Sequence, residues 1–95
     1  MATLNYSEQA LADLQRLSDF LAKSDPVAAS ETIDLIAEAV AVLSRHPFIG
    51  RHLAANLHEL IISRGRTGYV ALYSFEEAHD AVLTLAIRHQ REAGY

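Results

Sequence analysis

Apolar positions recur along this chain at two periods, and the switch between them separates a helical first half from a strand-rich second half. Ala2, Leu4 and Tyr6 alternate with Thr3 and Asn5, the two-residue period of a short strand. Ser7 then supplies a helix cap. Leu11, Leu14, Leu17 and Leu21 follow at helical spacing with Asp13, Gln15, Arg16 and Asp19 on other faces, which predicts an amphipathic helix over residues 8–22. It stops near Lys23-Ser24. Asp25-Pro26 opens a second helix at once, because aspartate satisfies free N–H groups at a helix start and proline has none to lose there. Ala29, Ile33, Ile36, Val40 and Leu43 form a continuous seam on this helix that must be buried. A link of about two residues folds the helices into an antiparallel hairpin.

Arg45-His46-Pro47 ends the second helix, since Pro47 disfavours helical geometry at His46. Phe48-Ile49-Gly50-Arg51 then begins a loop expected to run to about Asn56. Strands are expected over Leu57 to Ser63, Tyr69 to Phe75 and Ala81 to His89. The tight turn Gly65-Arg66-Thr67-Gly68 and the polar link Glu76 to Asp80 join them, so the simplest arrangement is an antiparallel meander. Alternation turns Leu60, Ile62, Tyr69, Ala71, Tyr73, Phe75, Leu83, Leu85 and Ile87 toward the helices. The other face carries Glu59, Ile61, Ser63, Val70, Leu72, Ser74, Val82, Thr84, Ala86 and Arg88. That face is too apolar to be simply solvated, and a partner or the chain's own tail is expected across it. The expected fold is α/β in the α+β sense: a single domain over residues 1–95, with an N-terminal strand and a helical hairpin packed on a mainly antiparallel sheet. The place of the first strand in the sheet is left open.

Composition narrows the function. A chain of 95 residues with 51% apolar and 21% charged positions can bury one core without staples. The absence of cysteine excludes disulfides and thiol catalysis. With no basic-then-apolar leader and no apolar run of membrane-spanning length, a cytoplasmic protein is expected. The net charge of −4 hides an asymmetry. Residues 1–44 hold seven acids against Arg16 and Lys23, whereas residues 45–95 hold six arginines against five acids. A protein that grips nucleic acid through phosphate charge is usually basic throughout, so general nucleic-acid binding is disfavoured.

Few residues carry candidate chemistry. His46, His52, His58, His79 and His89 show no metal-ligand spacing, and neither a metal nor a cofactor is expected. Glu76, Glu77, His79 and Asp80 read as a solvated turn. Gly65-Arg66-Thr67-Gly68 lacks the Lys-Ser/Thr pair and following helix of a phosphate loop. Tyr69 and Tyr73 read as core aromatics. The arginines are more informative. Arg64 and Arg66 lie at the Gly turn and Arg88 and Arg91 at the end of the last strand, which a meander brings to one end of the sheet, and guanidinium groups suit planar contacts with carboxylate or phosphate. Ordinary exposed ion pairing with Glu59 or Glu92 is the competing explanation.

The order of elements, the Pro47 and Gly50-Arg51 loop, the Glu59-Leu60 strand, the stretch Gly68-Tyr69-Val70-Ala71-Leu72-Tyr73 and the closing His89-Gln90-Arg91-Glu92 together resemble the RelE/ParE superfamily. These are toxins of type II toxin–antitoxin pairs, once called plasmid-stabilisation proteins. The resemblance implies a cognate antitoxin as partner. RelE-like members are ribosome-dependent mRNA endonucleases, which need several basic groups on the open face to handle the 2′-OH and the phosphate. Here Val70 stands where those nucleases typically carry arginine, and Ile61 and Ser63 lie where lysines are expected. If the chain is a nuclease, the resemblance points to Arg64, Arg66, His89, Arg91 and Tyr95. ParE-like members instead inhibit DNA gyrase and need no nuclease site. Val70 and the sequence pI of 5.6 favour that expectation, with the nuclease acting on ribosome-bound mRNA as the alternative and a non-toxic binding member of the pair as the second. Target or antitoxin binding is then expected at Arg64, Arg66, Arg88, Arg91, Glu59 and Val70.

Overall fold

A computed structural model describes residues 1–62 and 68–89. Strand β1 (Thr3–Tyr6) leads into helix α1 (Glu8–Ala22), and helix α2 (Pro26–Ala41) folds back on it before tightening into a 3-10 turn at Val42–Ser44. Strands β2 (Arg51–Ala54), β3 (Leu57–Ile61), β4 (Tyr69–Glu76) and β5 (Ala81–His89) follow. Both helix starts are closed by side chains: Ser7 Oγ accepts from the Ala10 N–H at 3.0 Å, and the Asp25 carboxylate accepts from Val27 and Ala28. The seam of α2 is inward, with Ala29, Ile36, Val40 and Leu43 buried and Ile33 half-buried. The α+β architecture is as expected.

The strands form one sheet in the order β1-β5-β4-β3-β2. β1 runs parallel to β5 at one edge, and the other neighbours are antiparallel. The helical hairpin covers one face. There Leu17, Ile36, Val40 and Leu43 meet Tyr69, Ala71, Tyr73, Phe75, Val82 and Ile87, while Leu4, Tyr6, Leu14, Leu60 and Ile62 pack around them.

Three sequence expectations are corrected. The segment expected to be a loop up to Asn56 contains an edge strand, β2, which returns through Ala55-Asn56 into β3. Its alternation is broken by an irregularity between His52 and Ala54, and Ala55 takes a positive φ of 48° without the glycine or asparagine that usually announces one. In β5 the expected faces are exchanged over the first half of the strand. Tyr73 pairs with Thr84 and Leu72 with Ala86, so Leu85 is an extra residue that shifts the phase. Val82 and Thr84 therefore face the core, while Leu83, opposite Ser74, faces outward; beyond the bulge Ile87 is inward as expected. In α1 the inward positions are Ala10, Asp13 and Leu17, and Leu11 is 55% exposed. The first turns of α1 lie against the outer edge of β5, and hydrogen bonds to that edge set the rotation of the helix.

One loop contact explains the Pro47 to Gly50 segment. The hydroxyl of fully buried Tyr73 donates to Pro47 O at 2.8 Å and accepts from the Gly50 N–H at 3.0 Å. A Cβ on residue 50 would lie 2.6 Å from that hydroxyl and 2.8 Å from Glu59 O, so only glycine fits.

Candidate functional site

The face of the sheet opposite the helices presents three cross-strand rows. Arg51, Glu59, Leu72 and Ala86 form one, Ile61, Val70 and Arg88 a second, and Leu57, Ser74 and Leu83 a third. Val70 and Leu72 are half-buried, and Ile61 at the edge is 41% exposed. No described element lies over this face. Its polar members are paired among themselves at the β2 side, where Arg51 Nη2 donates to Glu59 Oε1 at 2.9 Å. An open groove of about 680 Å³ runs beside this pair, lined by Ile49, Gly50, Arg51, Glu59, Leu60 and Ile61.

One end of the sheet gathers the ends of three strands. Ile62 N–H donates to Tyr69 O at 2.8 Å, and Tyr69 pairs across β4–β5 with His89. The described ends of β3, β4 and β5 therefore lie side by side at this end of the sheet. Arg64, Arg66, Arg91 and Tyr95 lie outside the described residues, and so does Ser63. Two expected site residues at this rim are described, and they diverge. His89 points to the helix side, its ring edge-on to Tyr69 at 5.3 Å, whereas Arg88 opposes Val70 in the outer row. Burial pushes the Tyr69 hydroxyl above its ordinary pKa, partly offset by its hydrogen bond with Thr32.

Arg88 is not a free charge. Its guanidinium Nη1 is paired with the Asp13 carboxylate of α1, and only 20% of its side chain is exposed. Asp13 Oδ2 also accepts from the Ile87 N–H at 2.9 Å, while Oδ1 accepts from Gln9 Nε2 at 2.9 Å. Burial of Asp13 raises its pKa, but the hydrogen bonds from Arg88, Ile87 and Gln9, with the charge of Arg88, outweigh this and hold it below the usual aspartate value. Sequence reasoning placed Asp13 on a polar face. A signal was nevertheless present: positions 10, 13, 14 and 17 are a core stripe by helical spacing, with a carboxylate among them.

Among the described residues no group of three or more histidines or carboxylates is placed to hold a metal ion, and no helix is long and apolar enough to cross a membrane.

The architecture has clear relatives. A chain of the chromosomal ParDE TA system from P. aeruginosa superposes with a TM-score of 0.75 at 22% identity, covering 94% of this chain and 96% of that one. The intact E. coli RelBE toxin–antitoxin complex contains a chain that superposes with a TM-score of 0.71 at 13% identity, covering 97% of this chain and all of that one, at 100%. The RelBE2 complex of Mycobacterium tuberculosis gives a TM-score of 0.62 at 25% identity, with 94% and 98% covered. A helical hairpin on one face of a five-stranded mixed sheet thus matches the RelE/ParE-like fold of these neighbours. In sequence, Toxin RelE3 of Caulobacter vibrioides is 36% identical over 92 residues, which span 97% of this chain and 98% of that protein. Residues 4–94 match the family described as the ParE toxin of type II toxin–antitoxin system, parDE; the chain belongs to that family and is a toxin of a type II toxin–antitoxin system.

Proposed function

We propose that this toxin acts in the cytoplasm as a ParE-like inhibitor of DNA gyrase, by binding rather than by cutting RNA, and that a cognate antitoxin neutralises it. The observation that carries this reading is the charge state of the open face. Both arginines described on its strands are held in ion pairs, Arg51 with Glu59 and Arg88 with Asp13, and Val70 lies between them among apolar neighbours. A phosphate-handling nuclease needs cations aimed into its site, and cations neutralised by carboxylates serve that purpose poorly. The half-buried apolar rows suit a protein surface instead. Arg64, Arg66 and Arg91 are then further contacts, with Glu59 and Val70 on the face itself. For the antitoxin, support comes from the relatives, since the RelBE structures of E. coli and M. tuberculosis are toxin–antitoxin complexes. An acidic, apolar segment of the antitoxin would suit the face and these arginines.

The test is direct. Purified toxin is expected to inhibit gyrase supercoiling in proportion to dose while ribosome-bound mRNA stays intact. Codon-linked cleavage with unaffected supercoiling would replace this reading by the RelE-like nuclease. Unchanged growth on expression without antitoxin would identify a non-toxic binding member.

A further inference from the structure

The end of β5 is finished by α1 rather than by another strand. β1 accompanies β5 only as far as Thr84, where its register ends at Tyr6. From there the first turns of α1 take over the outer edge of β5. Ser7 N–H donates to Thr84 O at 2.9 Å, and Ser7 Oγ donates to Leu85 O at 3.0 Å, at the bulge. Two turns of helix later, Asp13 receives the Ile87 N–H and the Arg88 guanidinium on the same carboxylate oxygen. Arg88 Nη1 also donates back to Ile87 O at 3.1 Å, closing a ring of side chain and backbone around the strand edge. Asp13 is only 2% exposed, so this is a buried charge with a designated counter-charge. Gln9, one turn earlier, orients the second carboxylate oxygen.

The position of this contact is what gives it a functional meaning. Arg88 opposes Val70, which opposes Ile61, so the pair anchors one end of an outer row of the open face to α1. We propose that Asp13 and Arg88 form one positioning unit, a latch that fixes the end of β5 to α1 and so holds the outer row of Ile61, Val70 and Arg88 in place, with Arg88 itself making no contact to the target. The proposal rests on the open face being the target-binding surface, as argued above. It removes Arg88 from the contact set and adds Asp13, a residue on the far element, to the residues that toxicity depends on.

A double-mutant cycle separates a latch from a contact. Asp13→Ala frees the guanidinium, and alanine does not weaken the helix. Asp13→Asn keeps an acceptor for Ile87 and guards against a variant that fails to fold. If Arg88 is a positioning residue, Asp13→Ala and Arg88→Gln each lower potency by about tenfold or more, in growth arrest and in gyrase inhibition, and the double variant is no worse than the weaker single. Potency of Asp13→Ala or Asp13→Asn at or above the wild-type level, with Arg88→Gln inactive, would make Arg88 a direct contact and overturn the latch. Leu17→Ala supplies the control for stability. Equal loss of potency at equal loss of Tm would reduce the pair to an ordinary structural contact. Amide exchange reads the latch without reference to any target: in Asp13→Ala the Ile87 and Arg88 amides are expected to exchange at least tenfold faster, with Ala71 and Tyr73 unchanged. Uniform acceleration or none would refute the proposal. A wild-type protein that leaves gyrase untouched sinks the target reading alone, because exchange and growth arrest still judge the latch.

Discussion

Removing the hydroxyl of Tyr73 isolates a single structural device. Tyr73→Phe keeps a ring that is fully buried and stacked on His58 at 5.2 Å with 17° between planes, and it deletes only the atom that holds the Pro47 to Gly50 loop. Two backbone groups lose their partner, Pro47 O and Gly50 N–H, both on half-buried residues. A polar group left unsatisfied costs about 1–3 kcal/mol. Partial access to water puts each group near the lower end, giving a loss of about 2 kcal/mol for the pair. For a domain of this size that corresponds to a fall in Tm of roughly 8–16 °C. Urea unfolding monitored by far-UV circular dichroism measures it, with the midpoint falling at constant slope. A loss below about 0.5 kcal/mol would mean that water replaces the hydroxyl at no cost, and the clamp would be refuted. The ionisation of the same hydroxyl is a second reading: burial raises its pKa, with the Gly50 N–H hydrogen bond opposing. Phenolate absorbance from Tyr73 is therefore expected at higher pH in the folded protein than in the urea-unfolded chain. The stability it contributes is whole below the ordinary tyrosine value of about 10 and is lost as pH rises through the folded value.

Gly50→Ala is expected to cost more than Tyr73→Phe, and combining them gives no full relief, because the Cβ contact at 2.8 Å to Glu59 O remains when the hydroxyl is gone; the same urea titrations measure both. Asp13→Asn removes a carboxylate whose folded pKa is depressed, so its contribution is present above about pH 3.9 and lost as pH falls through the folded value. The wild-type advantage over Asp13→Asn should be similar at pH 5 and pH 7, about 3 kcal/mol for a broken buried pair, and should shrink below about pH 4. Ile36→Ala, at a side chain with 0% exposure in the helix–sheet core, should cost about 2–5 kcal/mol by calorimetry or denaturant.

Most of the architecture is legible in the sequence because its local signals agree. The Ser7 and Asp25-Pro26 starts, the seam from Ala29 to Leu43 and the alternation of β4 each point to the observed element. What is not legible depends on partners distant in the chain. The bulge at Leu85 leaves no mark on β5's own pattern, since both phases of Ala81 to Ile87 are largely apolar, and only pairing with Leu72 and Tyr73 decides between them. Asp13 looks like a surface residue until Ile87 and Arg88, more than seventy positions away, supply its partners. β2 is too short and irregular to alternate. The candidate site divides the same way: its rows on β3 and β4 follow from alternation, whereas the pairing of Arg88, which changes its role, does not.

The parallel pairing of β1 with β5 joins the first strand of the chain to the last. During synthesis α1 can pack on α2, but β1 has no strand to pair with until residues 81–89 are made, so this edge of the sheet closes late. A chain terminated anywhere before β5 leaves β1, and the side chains of Ser7 and Asp13 on α1's side, without their strand partner, so completion of this fold waits on β5.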